Sequence, residues 1–167
     1  AFTVRLACID SGYRTDEVYA FCAEYADVAR PVKGWQHRQT PVSANRIERD
    51  WLGRAGGMQL WHVDSSYFKD QLARHMTTDQ GRPGSWTVHA EPREDYLLQM
   101  TSEHRVLVRS KATKQVKEEW KVKPGALGNH WWDAEVYNQA AAHMLGVYTL
   151  TDDVTDQGVE VYRQQQQ

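Results

Sequence analysis

Three aspartates of this sequence stand where a fold could bring their carboxylates together. Asp10 ends an apolar, β-favouring stretch, Asp64 ends a second one, and Asp133 lies near the start of a helical pattern. Carboxylates held close together cannot all stay ionised without a partner, and hard divalent cations are natural partners. Two Mg²⁺ or Mn²⁺ ions about 3.5–4 Å apart clamp the attacking and leaving oxygens of a phosphodiester. The three acids therefore predict a two-metal hydrolytic site.

A structural interpretation of Asp10 stays open beside this catalytic one. Ser11 and Gly12 follow Asp10, and Asp-Ser-Gly is an ordinary turn sequence that closes a strand. On that interpretation the carboxylate serves the turn and takes no part in a reaction.

Similar strand-and-helix units position the first two acids. Residues 3–10 predict a buried strand in the middle of a sheet, and residues 58–64 predict a strand that leads into a helix over 67–76. Strands that each end in Asp and continue into a helix are typical of a parallel pair. We therefore expect Asp10 and Asp64 side by side at the carboxyl edge of the sheet, where open α/β sheets keep their chemistry.

The last strong helical pattern positions Asp133. Asn129 is a good N-cap, Gly146 is a good C-terminal stop, and the alanine-rich residues between them favour a helix. Its apolar positions form one stripe that should pack on the sheet and leave Asp133 facing the sheet edge: Trp132, Val136, Ala140 and Met144 or Leu145.

The remaining patterns predict the elements between these units. They are a helix from 15 to Pro31, a short strand over 32–35, a long polar loop over 37–57, a weak strand over 86–89, a helix from Pro92 through Glu103, and a hairpin with strands around 105–109 and 115–122.

This hairpin is the basic part of a chain whose net charge is −2. The overall charge gives no support for a nucleic-acid partner, but the local excess is compatible with DNA contact. The cations that we expect at the DNA backbone are Arg105, Arg109, Lys111, Lys114 and Lys117. The alternative is a solvated hairpin whose lysines guard strand edges against aggregation.

Composition sets the outer limits. The 167 residues fit one α/β domain over 1–163, with a polar tail over 164–167 that we expect to be disordered. The two cysteines, Cys8 and Cys22, look like buried thiols of a reducing compartment. Neither a long apolar run nor a signal peptide is present, so we expect neither membrane insertion nor secretion. The chain opens directly on a strand, from which we expect a domain of a longer polypeptide.

Other polar residues are weaker candidates for the site. Lys69 could neutralise a phosphate near the metals, although a helix lysine is usually a surface residue. His130, one turn before Asp133, could order a water molecule or merely cap the helix. Glu103 and Glu135 could add ligands but are expected to be solvent-exposed. His62 is expected to be a buried, hydrogen-bonded histidine, and no Cys/His spacing favours zinc.

Three segments together resemble a known family. ACIDSGYRTDEVYAFC, LWHVDSSYFKDQL and GNHWWDAEVYNQAAAHMLG are similar to the C-terminal nuclease domain of the large terminase subunit of lambda-type tailed bacteriophages, the DNA-packaging motor protein. The resemblance spans nearly the whole chain. It implies an RNase H-like, integrase-superfamily fold, with a mixed central sheet flanked by helices, and a metal-dependent endonuclease that cuts concatemeric viral DNA.

The resemblance also implies the site and the partners. Asp10, Asp64 and Asp133 would be the metal-binding acids, with two divalent cations as cofactors. The partners would be double-stranded DNA and, in the full protein, an ATPase motor domain, a small terminase subunit and a portal, in the host cytoplasm. No G-x-x-x-x-G-K-[ST] loop is present, so this chain, expected to be a monomer, should not hydrolyse ATP.

Two alternatives stay open at this point. A Holliday-junction resolvase-type nuclease of the same fold would use similar acids but prefer branched DNA and act as a dimer. A non-catalytic DNA-binding or assembly module would carry these acids as structural residues.

Overall fold

A computed structural model describes residues 3–47, 57–110 and 114–150. Its elements, in chain order, are β1 (Ala7–Asp10), α1 (Thr15–Glu24), β2 (Ala29–Trp35), β3 (Val42–Arg46), β4 (Gln59–Asp64), α2 (Ser65–Thr77), α3 (Glu94–Met100), β5 (Glu103–Arg109), β6 (Val116–Val122) and α4 (His130–Met144), followed by a 3₁₀ turn (Val147–Thr149). The predicted α/β class, with a mixed central sheet flanked by helices, is confirmed. The RNase H-like assignment stays a prediction.

The central sheet has four strands in the order β1-β2-β4-β3. β1 and β4 both run parallel to β2, whereas β3 is antiparallel to β4. The predicted parallel direction of the two Asp-terminated strands is therefore confirmed. Their predicted adjacency is wrong, because β2 lies between them and β1 is an edge strand of the described sheet.

β2 takes the central position because both of its faces are apolar and buried. Pro31 and Val32 point to opposite faces of the strand and are both fully buried. The sequence predicted that the first helix continues to Pro31, but α1 ends at Glu24 and the proline lies inside β2. The strand tolerates Pro31 because pairing with β4 begins only at Val32, so no ladder bond is lost.

Three further predictions differ from the structure. The predicted loop over 37–57 contains β3, and residues 48–56 lie outside the described part. Residues 86–89 form no strand; instead the Trp86 ring stacks on Tyr96, with centroids 6.3 Å apart. Finally, α3 ends at Met100, so Glu103 begins a strand instead of ending a helix.

The hydrophobic core lies between the sheet and α2, α3 and α4. Its buried residues are Val32, Val63, Phe68, Leu72, Met100, Trp132, Val136 and Ala140. The predicted apolar stripe of α4 is thus confirmed. No helix in the described part of the chain is long and apolar enough to span a membrane. Both cysteines are free, and burial raises the pKa of each thiol to about 11, which agrees with the predicted buried thiols.

Candidate active site

Asp10 presents an exposed carboxylate at the carboxyl end of β1. Its Oδ1 accepts a hydrogen bond of 3.0 Å from the backbone N–H of Gly12. The turn that follows is fixed separately, because the Ser11 hydroxyl donates to the carbonyl of Val32 and the Thr15 hydroxyl donates to the carbonyl of Ser11. The turn interpretation of Asp10 is therefore correct for one of its oxygens. Its exposure leaves the carboxylate accessible to a ligand as well.

Tyr137 is a neighbour of Asp10. Its hydroxyl lies beside the backbone of Gly34, and the phenol interacts electrostatically with the carboxylates of Asp10 and Asp133. Burial, followed by the charges of Asp10 and Asp133, raises the pKa of the Tyr137 phenol, which therefore stays protonated at neutral pH. The phenol thus places a neutral hydroxyl group next to the acidic centre.

Gly34 makes this contact possible. A Cβ at this position would lie 3.0 Å from the Tyr137 hydroxyl and 2.5 Å from the Ser65 hydroxyl. A backbone this close to two hydroxyl groups excludes a larger residue. The last residue pair between β1 and β2 is Asp10 with Val32, so Gly34 lies two residues beyond the end of β1. The backbone of Gly34 that faces this side is therefore accessible to Tyr137.

Asp133 reaches the same place from the first turn of α4. Its Oδ2 accepts a hydrogen bond of 2.8 Å from the Asn129 side-chain amide, and its Oδ1 lies 3.3 Å from the Lys69 ammonium. Burial raises the pKa of Asp133, Lys69 opposes this shift, and the carboxylates of Glu103 and Asp10 add to it. Asp10 and Asp133 are thus close enough to act on each other electrostatically.

A buried network supports Asp133. The Lys69 ammonium contacts both oxygens of Glu103 at 2.8 Å, and the Asn129 amide donates to Glu103 Oε1 at 2.8 Å. The Glu103 side chain is 3% exposed and that of Lys69 is 12% exposed. The predictions of a surface lysine and an exposed Glu103 are wrong, because each side chain neutralises the other inside the protein. Asn129 precedes α4 as predicted, but its side chain makes no capping hydrogen bond.

Asp64 does not join the other two acids. It caps α2 by accepting from the N–H of Tyr67 at 2.9 Å, and its other oxygen accepts from the N–H of Arg38 at 2.8 Å. Asp10 lies opposite Val32, whereas Asp64 lies opposite Trp35, three residues further along β2. That offset is about 10 Å along the sheet, combined with about 10 Å across two strand spacings.

The donor chemistry of Asp10 and Asp133 suits a hard divalent ion. Mg²⁺ is usually held by one or two carboxylates and completes its shell with water and substrate phosphates. Within residues 3–47, 57–110 and 114–150, no set of three or more His, Cys, Asp or Glu side chains is grouped closely enough to bind a metal. The pair of Asp10 and Asp133 is therefore the acidic centre that this part of the chain provides.

Three of the weaker candidates, in contrast to Lys69 and Glu103, make no contact with this pair in the described part of the chain: Glu135, His130 and His62. Glu135 accepts a hydrogen bond of 2.9 Å from the Tyr96 hydroxyl and so faces α3. His130 is exposed at the first position of α4. His62 is buried and accepts from the indole N–H of Trp35 at 2.9 Å, as predicted for a hydrogen-bonded histidine. Burial, followed by the positive charges of Arg38 and Lys33, lowers the pKa of His62.

Much of the basic charge of the β5–β6 hairpin is paired within the domain. Arg105 forms ion pairs with Asp70 and Glu118. Lys117 and Lys121 both contact the buried Glu119, whose pKa they lower to about 2. Two of the remaining predicted DNA contacts, Arg109 and Lys114, are exposed near the hairpin end, and Lys111 lies outside the described residues.

Tyr137 is the residue of this site that sequence reasoning missed. Its position carried a signal, because it lies four residues after Asp133 and therefore on the same face of α4. Asn129 lies four residues before Asp133, on that face as well. An inspection of the positions four residues before and four residues after Asp133 would have identified both residues.

The fold and the site together define a mixed α/β domain with an acidic centre at the carboxyl end of a parallel strand. The chain belongs to the terminase large subunit endonuclease family: the model for "Terminase large subunit gpA, endonuclease domain" matches residues 1–153. The resemblance noted from the sequence is thus confirmed. No curated protein and no solved structure matches the chain significantly.

Asp64 can be tested for a capping role against the predicted metal role. Asn can cap a helix, but its amide nitrogen cannot accept from the N–H of Arg38, so we expect Asp64→Asn to lose less stability than Asp64→Ala and to keep its nuclease activity. Asp64→Ala should lose about 1–2 kcal/mol of unfolding free energy, because it removes the cap. Urea denaturation and a cleavage assay measure the two effects. A folded but inactive Asp64→Asn protein would return this residue to the metal centre.

Asp133 should destabilise the metal-free domain when it is ionised. A pKa raised above the ordinary value of 3.8 means that the folded state holds its proton more tightly than the unfolded chain does. In EDTA, the unfolding free energy of wild type should therefore fall relative to that of Asp133→Asn as the pH rises from 3.8 through the folded-state pKa of Asp133. Above that pKa the difference between the two proteins should stay constant. Melting temperatures of both proteins across this range provide the measurement. A variant less stable than wild type at neutral pH would show that the contact with Lys69 outweighs burial.

Proposed function

We propose that this domain is a divalent-metal-dependent DNA endonuclease that cuts concatemeric viral DNA during genome packaging, with Asp10 and Asp133 as its metal ligands. Membership of the terminase endonuclease family supports the nuclease reaction and its setting. The observation that carries the choice of residues is that α4 packs against β1, which brings these two carboxylates close enough to act on each other electrostatically.

Bound Mg²⁺ or Mn²⁺ would supply a Lewis acid at the scissile phosphate and a water molecule of lowered pKa as nucleophile. The protein's own groups preorganise the ligands for that ion. Gly12 orients Asp10, while Asn129 and Lys69 orient Asp133. Carboxylates that are fixed before the metal and the substrate bind need little reorganisation during the reaction. Such preorganisation is a major source of electrostatic catalysis.

The structure supports fewer acids at this centre than the sequence predicts. Asp64 is occupied as a helix cap, so the predicted third ligand does not contact the pair. The two-metal mechanism stays a prediction, because a second ion would need a further carboxylate beside Asp133. The RNase H-like fold is likewise part of the proposal.

The proposed substrate is double-stranded DNA. The proposed partners in the full-length protein are an ATPase motor domain, a small terminase subunit and a portal, and the proposed location is the host cytoplasm. Phosphate contacts position DNA without reading its sequence, so contacts of this kind give weak sequence preference.

Plasmid cleavage tests the proposed activity. Supercoiled plasmid is incubated with the protein in Mg²⁺, Mn²⁺ or EDTA, beside Asp10→Asn and Asp133→Asn. We expect metal-dependent nicking and linearisation in wild type and a loss of at least about a hundredfold in each variant, since each substitution removes a negatively charged ligand.

Two controls make this assay decisive. Branched DNA in place of linear duplex separates the resolvase alternative, which requires a clear preference for branches. Glu135→Gln is a matched carboxylate control on α4, directed at Tyr96, and should retain cleavage. If wild type shows no cleavage and its melting temperature does not rise with added metal, the non-catalytic module is supported instead. An ion that binds only the folded state must stabilise it, so the absence of a rise means that no ion is bound.

The predicted DNA contacts of the hairpin include cations that form ion pairs within the domain and cations that are exposed, and the two groups can be tested separately. We expect the double variant Arg109→Ala/Lys114→Ala to lower the salt dependence of DNA binding by about 2 in log–log slope, the value for two lost phosphate contacts. Arg105→Ala should leave this slope nearly unchanged, because its guanidinium already pairs with Asp70 and Glu118. Fluorescence anisotropy with duplex DNA in EDTA measures both.

The exposed Arg82, paired with Asp79 within its own turn, provides a control away from the hairpin as Arg82→Ala. An equal loss of slope in Arg82→Ala and in the double variant would show non-specific attraction in place of a hairpin contact.

A further inference from the structure

The end of β2 carries an exposed aromatic ring between two cations. Trp35 is 42% exposed. The Lys33 ammonium lies 5.5 Å from the centroid of the indole ring, and the central carbon of the Arg38 guanidinium lies 5.7 Å from the ring centroid. Surfaces that hold single nucleic-acid strands combine these same features, because bases stack on aromatic rings while cations bind the backbone.

The indole ring of Trp35 is held in one orientation. Its N–H donates a hydrogen bond of 2.9 Å to Nδ1 of His62. Burial, followed by the positive charges of Arg38 and Lys33, lowers the pKa of His62, so the imidazole is neutral at neutral pH and can accept this hydrogen bond. A ring that is fixed in advance loses little conformational freedom when a ligand stacks on it.

The two cations are not neutralised within the described part of the chain. Lys33 is exposed, and neither Lys33 nor Arg38 forms an ion pair there. Arg38 Nη2 donates to the Ser43 hydroxyl at 3.1 Å, whereas its buried Nε has no hydrogen-bond partner among the described residues. Asp64 accepts from the backbone N–H of Arg38 and not from its guanidinium. In contrast to the paired cations of the hairpin, these two positive charges are available to an anion.

A polar cleft continues from Arg38 into the segment that joins β2 to β3. Its volume is about 720 Å³, and none of the described residues that line it is acidic: His37, Arg38, Gln39, Thr40, Ser43 and Asn45. Their guanidinium, imidazole, amide and hydroxyl groups can all donate hydrogen bonds to phosphate oxygens. The cleft is therefore suited to the backbone of a DNA strand that has a base on the neighbouring ring.

This surface is separate from the acidic centre. Trp35 lies three residues beyond Val32, the partner of Asp10 on β2, which is about 10 Å further along the strand. Side chains alternate along a strand, so Lys33 and Trp35 point away from the core face that Val32 occupies. DNA bound here would therefore contact the domain at nucleotides other than the one that is cleaved.

We propose that Lys33, Trp35 and Arg38, together with the cleft beyond Arg38, form a binding surface for single-stranded DNA, in which an unpaired base stacks on the Trp35 ring. The inference rests on the proposed nuclease function and adds a further contact of the domain with its DNA substrate. Bases inside a duplex are already stacked and paired, so the ring requires a base that has left the helix. The three residues position the strand and take no part in its cleavage.

Fluorescence anisotropy with labelled oligo(dT) and with a blunt duplex, both in EDTA at low salt, tests the stacking contact. We expect Trp35→Ala to weaken oligo(dT) binding about tenfold, which is within the range for one base stacked on an aromatic ring. Its binding to the duplex should be nearly unchanged. Trp35→Phe retains a ring and should recover most of the affinity. Trp131, which is 43% exposed on α4, is the matched control, and Trp131→Ala should bind oligo(dT) as wild type does.

A double variant tests the two cations. Lys33→Gln/Arg38→Gln should lower the salt dependence of oligo(dT) binding by about 1.4 in log–log slope, the value for two lost phosphate contacts of a single strand. The control is Arg82→Gln/Arg93→Gln, because these two exposed arginines already pair with nearby acids, and its slope should match wild type. Melting temperatures establish that each variant is folded.

Two results would overturn the inference. The first is equal oligo(dT) affinity in wild type and in a folded Trp35→Ala protein. The second is an unchanged slope in Lys33→Gln/Arg38→Gln, which would show that the cations only cover the ring. An equal loss of duplex binding in Trp35→Ala would also contradict stacking on an unpaired base.

The nuclease function is tested separately by the plasmid assay. Metal-dependent cleavage by wild type, combined with unchanged oligo(dT) binding in Trp35→Ala, would leave the nuclease in place without this surface. A selective loss of oligo(dT) binding in Trp35→Ala, without any cleavage by wild type, would support the surface and refute the nuclease function.

Discussion

The ion pair between Lys69 and Glu103 is the interaction on which the site depends. It joins α2 to the first residue of β5, and Asn129 extends it to the start of α4. Breaking such a buried pair from one side typically costs about 3–5 kcal/mol, because an uncompensated charge remains inside. A nearby contact reinforces the joint, since the Trp120 indole of β6 donates to Asp70 on α2 at 2.8 Å. The network that holds the hairpin against the body therefore also determines where Asp133 lies.

α4 serves packing and chemistry with different faces of one helix. Trp132, Val136 and Ala140 are buried in the core and fix the position of the helix. Asn129, Asp133 and Tyr137 follow one another at four-residue spacing and lie along a single polar face. This face is directed at the end of β1, where the Tyr137 hydroxyl lies beside the close backbone of Gly34 and interacts electrostatically with Asp10. The packing of α4 in the core thus fixes the positions of the site residues more precisely than loops alone could.

The sequence was sufficient for those parts of the site that depend on local patterns. The elements that carry Asp10 and Asp133, a strand end and an amphipathic helix, were predicted correctly. Hydrophobic periodicity and capping residues can each be recognised within a single segment of the sequence. The strand order could not be read in this way: β2 contains Pro31 and was assigned partly to a helix, so β4 was placed beside β1. The partners of Lys69 and Glu103 were missed for the same reason. They lie 34 residues apart, and neither local sequence reveals that both are buried.

The charge of the domain has a consequence for how it would meet DNA. The chain carries a net charge of −2, and Arg105, Lys117 and Lys121 are engaged with acids of the same hairpin or of α2. Affinity for duplex DNA comes mainly from cations that replace counterions, and two of the five predicted ones, Arg105 and Lys117, are already engaged within the domain. A nuclease built in this way would bind free DNA weakly by itself. Its cutting would then depend on DNA held against it by the rest of a packaging machine, and the divalent ion proposed at Asp10 and Asp133 would contribute to binding as well as to reaction.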